Sequence, residues 1–567
     1  MPRGLLIWVA LPVVLALALV ARLSGLHWDG LAALHPDERH VLFVTQEAFA
    51  ALADPAHAGL TLAEWWFSDQ SPLNPHLGPR SYVYGEAPLL AGVLLGWALG
   101  VTDWFAAIPL MRGLASVVDV LAALAVFLGA RLLAGNRAAL VAAVLYAAMP
   151  SALQLSKFHT VDVWLSAAVA GALVPMLALA LGRWGRAGPL ALAALAGGFL
   201  GLAVASKVPG VLALAPLVVA LGLAMRHGLA LRRAGFALLL ALGAALVVFR
   251  LTNPFAFAGG GGAILSPDWI EDFRGLADVT TSADFPPNWQ WMAGYGLLRF
   301  LRDYALFGVG PVAALLVLGF VKGAPRAALV PLSCVAVFTA LAFLSSVSAL
   351  RYAAPALPAL AMALAPVIAR LDNRQALGVL ALALFWGAGV VRLHDGWHPR
   401  IVASHWLWSL PRGTVLTNET AWDDTLPTIL RIGDEWRWPT HDDWFVHQSL
   451  DITAPDTPEK ADRIAALLAR TDLLILSSDR QSAVMPRLPE RFPLTTEHYR
   501  ALFAGEACFA PVLELDRGFP LPLFGFDDSW AQEPWRVYDH PAVRIFAREP
   551  CFDPAAYAAR LRAALEE

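Results

Sequence analysis

The stretch APLLAGVLLGWALGV, Ala87 to Val101, is apolar from end to end and only fifteen residues long. A helix needs about 20 apolar residues to cross the hydrocarbon of a bilayer, with a range of roughly 17 to 25, and shorter runs lie in the interface or re-enter as readily as they span. Runs nearer the required length occur at about 5–23, 110–130, 138–155, 161–181, 189–206, 208–225, 234–249, 304–321, 327–345, 352–369 and 375–391, eleven in all. Charge decides the status of Ala87 to Val101. If it does not cross, Arg131/Arg137, Arg183/Arg186, Arg226/Arg232/Arg233, Lys322/Arg326 and Arg370/Arg374 all share the side of Arg3, and these connections hold eleven basic residues against one acid, Asp372. The positive-inside rule then makes that side cytoplasmic. If Ala87 to Val101 crosses, Arg3 stands opposite every one of them.

The composition agrees with a membrane protein. The 567 residues are 58% hydrophobic and 15% charged, where a soluble chain carries about a quarter charged residues. A net charge of -4 spread over the chain offers no basic field for a nucleic acid. The expected fold is a polytopic α-helical membrane protein with about eleven transmembrane helices, interfacial helices in the first outer loop, and a C-terminal extracytoplasmic α/β domain. The membrane domain is placed at 1–392 and the soluble domain at 393–567. The amino-terminal run lacks a small-residue cleavage site and reads as an uncleaved anchor. Outside the membrane lie the first loop (24–109), short connections at 156–162, 206–210 and 345–352, a fourth loop (251–303) and the tail.

In the tail, TDLLILSS (471–478) reads as a buried strand after the amphipathic helix ADRIAALLAR, and AVRIFARE (542–549) as another strand. Trp406, Trp408, Trp422, Trp436 and Trp438 fit core or interfacial packing better than sugar stacking. Gly259 to Gly262 read as a flexible part of the fourth loop. Cys334 sits in an apolar run as a packing residue, while Cys508 and Cys551 are able to pair if the tail lies outside the cytoplasm.

Two readings fit LHPDERHVLF (34–43). Pro36 at a first helical position with acids in the first turn is what a helix start favours, because exposed amides and the macrodipole attract negative charge. Asp37 and Glu38 are also a candidate catalytic pair, and a helix start holds a carboxylate in fixed orientation. His35 and His40 flank the acids, but H-x-D-x-x-H matches no standard metal-ligand spacing. Asp162, preceded by Lys157 and His159, begins a span; Lys207 lies between two spans; Arg351 begins another. Each alone reads as a snorkelling interfacial residue. Together they put cations in the shortest outer turns, where the charge rule disfavours them, facing carboxylates. That suits a ligand with an anionic head and a lipid tail, such as a polyprenyl phosphate bearing a sugar.

HPDE, YVYGEAPLLAGVLLGWALG, FHTVDVWLSA, GLAVASKVPGVLALAP, LTNPFAF and RYAAPALPALAMALA, in that order, resemble the GT-C superfamily of lipid-carrier-dependent glycosyltransferases. The sequence looks similar to protein O-mannosyltransferases and to the lipid A aminoarabinose transferase. YRALFAGEACF with YDHPAVRIF resembles the soluble end of bacterial members. The chain departs from the pattern at SKVPG, with Pro209 inserted, and at YGEAPL, which carries Glu86 and lacks the usual double proline.

The resemblance implies catalytic roles for Asp37 and Glu38, donor-phosphate contacts for Lys207 and Arg351, and substrate contacts for Asp162 and His159. The reaction implied is displacement at the anomeric carbon of a polyprenyl-phosphate sugar by an acceptor on a protein, a lipid or a glycan. Asp37 accepts the proton, and no cofactor or metal is expected. The rival is a transporter or flippase of a polar lipid, whose mark would be ionisable residues at span centres. Asp119 is the main example here.

Overall fold

The computed structural model describes residues 3–77, 81–259, 264–419, 424–432, 435–437 and 443–566. Trp422, Trp438 and Gly260 to Gly262 lie outside them, as does the side chain of Trp436. Two compact units form: Met1–Leu26, His35–Thr280 and Leu297–Val391 make one, and His27–Leu34, Thr281–Gly296 and Arg392–Glu567 the other.

The first unit is a helical membrane body. Among the described residues, seven helices are long and apolar enough to cross a bilayer, and eight if one bent pair counts as a span. All eleven apolar runs are helical along most of their length, yet helix lengths do not reproduce eleven independent spans. Two runs are merged in Trp104–Ala147, broken at Gly135 in the left-handed region (φ 79°). The run at 304–321 is bent by 118° between Leu297–Gly308 and Pro311–Phe320. There Gly310 takes φ 82°, and Pro311 has no amide hydrogen to continue the preceding helix. All of Ala87 to Val101 but its last two residues lies in Glu86–Leu99, a helix of 14 residues that reaches about 21 Å at 1.5 Å per residue.

Helix surfaces match lipid as the solvent. Phe236, Leu239, Leu246, Val247 and Leu251 on Leu231–Thr252 are all more than half exposed or close to it, which costs nothing in hydrocarbon and would be unfavourable in water. Small residues bring that helix against Gly188–Ser206. A Cβ on Gly197 would lie 2.1 Å from the Ala241 carbonyl oxygen, and one on Gly201 would lie 2.3 Å from that of Ala245. Such close backbone approach drives association where the hydrophobic effect is absent. Inside the body Asp119 is bonded by Arg22 and by the Tyr146 hydroxyl, both at 2.5 Å. The acid at a span centre is therefore a fixed brace between helices.

The second unit carries a five-stranded sheet of β1 (Val415–Glu419), β2 (Val446–Leu450), β3 (Leu473–Leu476), β4 (Phe509–Leu515) and β5 (Val543–Arg548), ordered β2-β1-β3-β5-β4. The first three are parallel; β5 runs antiparallel to β3, and β4 antiparallel to β5. Leu474 and Leu476 join a core with Ile464, Leu468, Tyr557 and Leu561, while Leu473 and Ile475 join a second core with Leu407, Leu416 and Ile545. Helices thus cover both faces, which is why the strand at 473–476 is apolar throughout. Trp406 and Trp408 pack against the second core, and a disulfide joins Cys508 to Cys551.

Gly197→Ile is expected to push Gly188–Ser206 off its neighbour and to cost about 1–3 kcal/mol or more by overpacking. Gly198→Ala, whose new methyl would meet only the Val248 side chain at 3.7 Å, should be nearly neutral. Thermal unfolding of the two variants in one detergent tests the contrast.

Candidate active site

The helix Pro36–Ala53 starts as its sequence requires. His35 is the cap, its Nδ1 accepting the Asp37 amide hydrogen at 3.2 Å, and Pro36 fills the first helical position. Successive helical residues point about 100° apart, so Asp37 and Glu38 enter different surroundings. Glu38 is fully buried, whereas the Asp37 side chain keeps 17% of its surface.

Glu38 is locked on three sides. Arg112 donates Nε to Oε1 at 3.0 Å and Nη2 to Oε2 at 2.7 Å, the two-pronged arrangement in which an arginine–carboxylate pair is strongest. The His159 amide donates to Oε1 at 2.9 Å. Arg112 also donates to the Leu26 carbonyl at 2.7 Å. One carboxylate therefore ties the start of Pro36–Ala53 to the first turns of Trp104–Ala147 and to the connection at 156–160. The imidazole of His159 is buried, and burial pushes its pKa down to about 4. That ring is neutral, and the residue meets the acidic pair through its backbone. Lys157 is likewise buried, its ammonium donating to the carbonyls of Ala21, Arg22 and Ser24 at 2.6–3.1 Å. It caps the first helix.

Asp37 faces cations. Arg351 donates Nη1 to its Oδ2, and the Tyr84 hydroxyl bonds the same carboxylate. Burial raises the Asp37 pKa, but Arg351, His35, Lys207 and the Tyr84 hydroxyl outweigh it and hold the carboxyl at about 2. Lys207 ends the helix Gly188–Ser206 in extended conformation and pairs with Asp162 Oδ1 at 2.7 Å. Asp162 Oδ2 is buried without a partner among the described residues. The Tyr352 ring joins the two pairs: the Lys207 ammonium stands 4.8 Å from its centroid and the Arg351 guanidinium 5.7 Å, within cation–π range.

Asp37, Lys207, Arg351 and Asp162 thus gather around Tyr352, with Glu38 beneath them, while His159 turns its ring away. Arg112, Tyr84 and Tyr352 complete the arrangement, and nothing in the sequence marks Arg112 or Tyr84 as a site residue. Tyr352 alone had a local sign, as the neighbour of Arg351 in the R-Y turn. His35 and His40 do not converge: the first ring packs on Phe158 at 4.6 Å and the second on Tyr82 at 5.8 Å. Among the described residues no group of three His, Cys, Asp or Glu is disposed to hold a metal ion.

No protein-family model and no curated protein matches the chain. Several solved structures are similar to it at low identity. ArnT from Cupriavidus metallidurans, bound to undecaprenyl phosphate, is 16% identical over 86% of this chain and 95% of that one, with a TM-score of 0.45. The oligosaccharyltransferase of Archaeoglobus fulgidus, in complex with Zn and sulfate, is 16% identical over 92% and 74%, with a TM-score of 0.48. The arabinofuranosyltransferase AftD from Mycobacteria is 16% identical over 96% of this chain and 42% of its own, with a TM-score of 0.39.

Arg112→Met, like Glu38→Gln, would leave one partner of a buried ion pair uncompensated, and breaking such a pair from one side costs about 3–5 kcal/mol. The double variant Arg112→Met/Glu38→Gln should recover a large part of that loss. Thermal unfolding of the two single variants and the double variant measures the coupling, and additive losses would remove Glu38 from its place as the brace.

Proposed function

We propose that this chain is an integral-membrane glycosyltransferase of the GT-C kind. It moves a sugar from a polyprenyl-phosphate-linked donor to an acceptor on the extracytoplasmic face. The observation that carries the reading is the pair of partly exposed cation–carboxylate contacts, Arg351 with Asp37 and Lys207 with Asp162, sharing the Tyr352 ring in one place. The positive-inside count puts this place on the outer side. The disulfide between Cys508 and Cys551 suits a tail on that side, since such bonds persist in oxidising compartments.

The acceptor hydroxyl attacks the anomeric carbon, the bond from that carbon to the phosphate oxygen breaks, and polyprenyl phosphate leaves with the electron pair. The acceptor proton passes to Asp37. A carboxyl held at about 2 is a poor base, because a useful base titrates near the working pH. The donor phosphate competes with Asp37 for Arg351, so donor binding withdraws the charge that depresses Asp37 and raises its basicity. Lys207 supplies the second positive group, and fixed charges of this kind stabilise a leaving phosphate strongly where water is scarce. Asp162 steers Lys207 through Oδ1 and offers Oδ2 to a sugar hydroxyl. Glu38 positions the turn that carries Asp37.

Purified protein given a panel of polyprenyl-phosphate sugars is expected to consume at least one donor in the presence of acceptor. Asp37→Asn should slow that turnover by about 10²- to 10⁴-fold, the usual worth of a general base. In wild type, ionised Asp37 persists in the free protein down to about pH 2. The acid limb of kcat should therefore lie above that of kcat/KM, since the two report the complex and the free protein respectively. Full activity in Asp37→Asn contradicts the assignment of the base.

A further inference from the structure

Glu86, the acid at which the sequence departs from the pattern it resembles, is completely buried. Its amide donates to Asn253 Oδ1 at 2.6 Å, and its Oε2 accepts the Phe255 amide at 2.9 Å. Among the described residues its Oε1 has no hydrogen-bond partner and faces His76 Nε2, also without one, across 3.5 Å. The other ring nitrogen of His76 meets Asp272 Oδ2 at 2.5 Å, and that oxygen also accepts the Tyr82 amide at 3.0 Å. Two carboxylates thus flank one imidazole in a setting from which the Glu86 and His76 side chains see no solvent. Tyr82 packs edge-on to His76 at 6.3 Å, His40 stacks on the far side of Tyr82, and Arg250 acts on Glu86 from the end of Leu231–Thr252.

The residues between these contacts lead to the site. Tyr82 and Tyr84 pack edge to face at 5.6 Å, and Tyr84 bonds Asp37. Gly85 lies flat on the helix that ends at Lys207: its amide donates to Ser206 at 3.1 Å, and a Cβ there would fall 2.0 Å from the Ala205 carbonyl oxygen. The turn Tyr82–Glu86 therefore touches both carriers of the site, and its far end is fastened by His76, Glu86 and Asp272.

We propose that His76, Glu86 and Asp272 form a clasp closed by one proton between Nε2 and Oε1, and that the clasp positions Tyr84, and through it Asp37, for the transfer step. The two facing polar atoms are both satisfied only when that proton is present. Without it, two buried carboxylates repel across a neutral ring, a state that burial penalises. Burial alone would pull the His76 proton off, but Glu86 and Asp272 outweigh it and hold His76 above the usual histidine range. A group whose pKa is raised on folding gives stability that is complete below its ordinary value and disappears as pH rises through the raised one. The clasp is closed below the raised value and opens as pH rises through it.

The proposal rests on the reading of Asp37 as base, so its test has one arm that needs no turnover. In wild type, amide-exchange protection factors of residues 82–86, corrected for intrinsic exchange, are expected to fall with rising pH. In His76→Gln they should be lower and independent of pH. In the activity arm, wild type is expected to lose turnover along an alkaline limb of about tenfold per pH unit, the slope of one proton, while His76→Gln runs slower and flat across it. An unchanged limb in His76→Gln, or protection insensitive to both pH and variant, overturns the clasp. Protection that changes as stated while wild type consumes no donor at any pH upholds the clasp and overturns the donor reading.

Discussion

The placement of Asp37 hangs on one buried ion pair. Glu38 and Arg112 meet in two parallel hydrogen bonds with no access to solvent, and a third bond from the His159 amide completes the carboxylate. A charged pair withdrawn from water is costly to form and costlier to break from one side only. It contributes little net stability, but its hydrogen bonds hold Pro36–Ala53, Trp104–Ala147 and the His159 backbone to one another. Because helical geometry turns the preceding residue by about 100°, fixing Glu38 aims Asp37. The helix start and the acidic pair, two readings of one tetrapeptide, describe a single device.

The surroundings of Asp37 are balanced before any ligand arrives. Two cations, Arg351 and Lys207, meet two carboxylates, Asp37 and Asp162, around one tyrosine ring. An anionic head group entering such an arrangement draws on cations already engaged by carboxylates. Exchange of this kind links recognition to reactivity, since the carboxylate that loses its arginine becomes the stronger base. In the proposed reaction it also makes the donor phosphate the trigger, because a site that holds Asp37 near 2 lacks an effective base while empty.

The apolar runs made the helices legible, since periodicity is irrelevant where all sides face lipid or other helices and length carries the signal. The bend at 304–321 was written in Gly310–Pro311, a breaker pair hidden by an otherwise apolar run. Residue types at Asp37, Lys207 and Arg351 were legible because each is a charge where apolar or opposite-signed neighbours are the rule. Arg112 was not, since its partner lies 74 residues away and no local pattern encodes a contact of that span. His159 was legible as a residue of the site but not in its orientation: burial of the ring and donation by the amide depend on packing against distant helices. Glu86 showed itself only as a departure from a pattern, and His76 and Asp272 gave no sign at all.

If Arg351 is shared between Asp37 and a donor phosphate, as proposed, the sharing is read out by the binding of polyprenyl monophosphate that carries no sugar. Titration of the purified protein with this lipid should give tighter binding to Asp37→Ala than to wild type, because the variant removes the carboxylate that competes for Arg351. Binding to Arg351→Gln should be weaker than to either, and insensitive to a further change at Asp37. Equal affinity in wild type and Asp37→Ala, with Arg351→Gln unimpaired, would contradict the account.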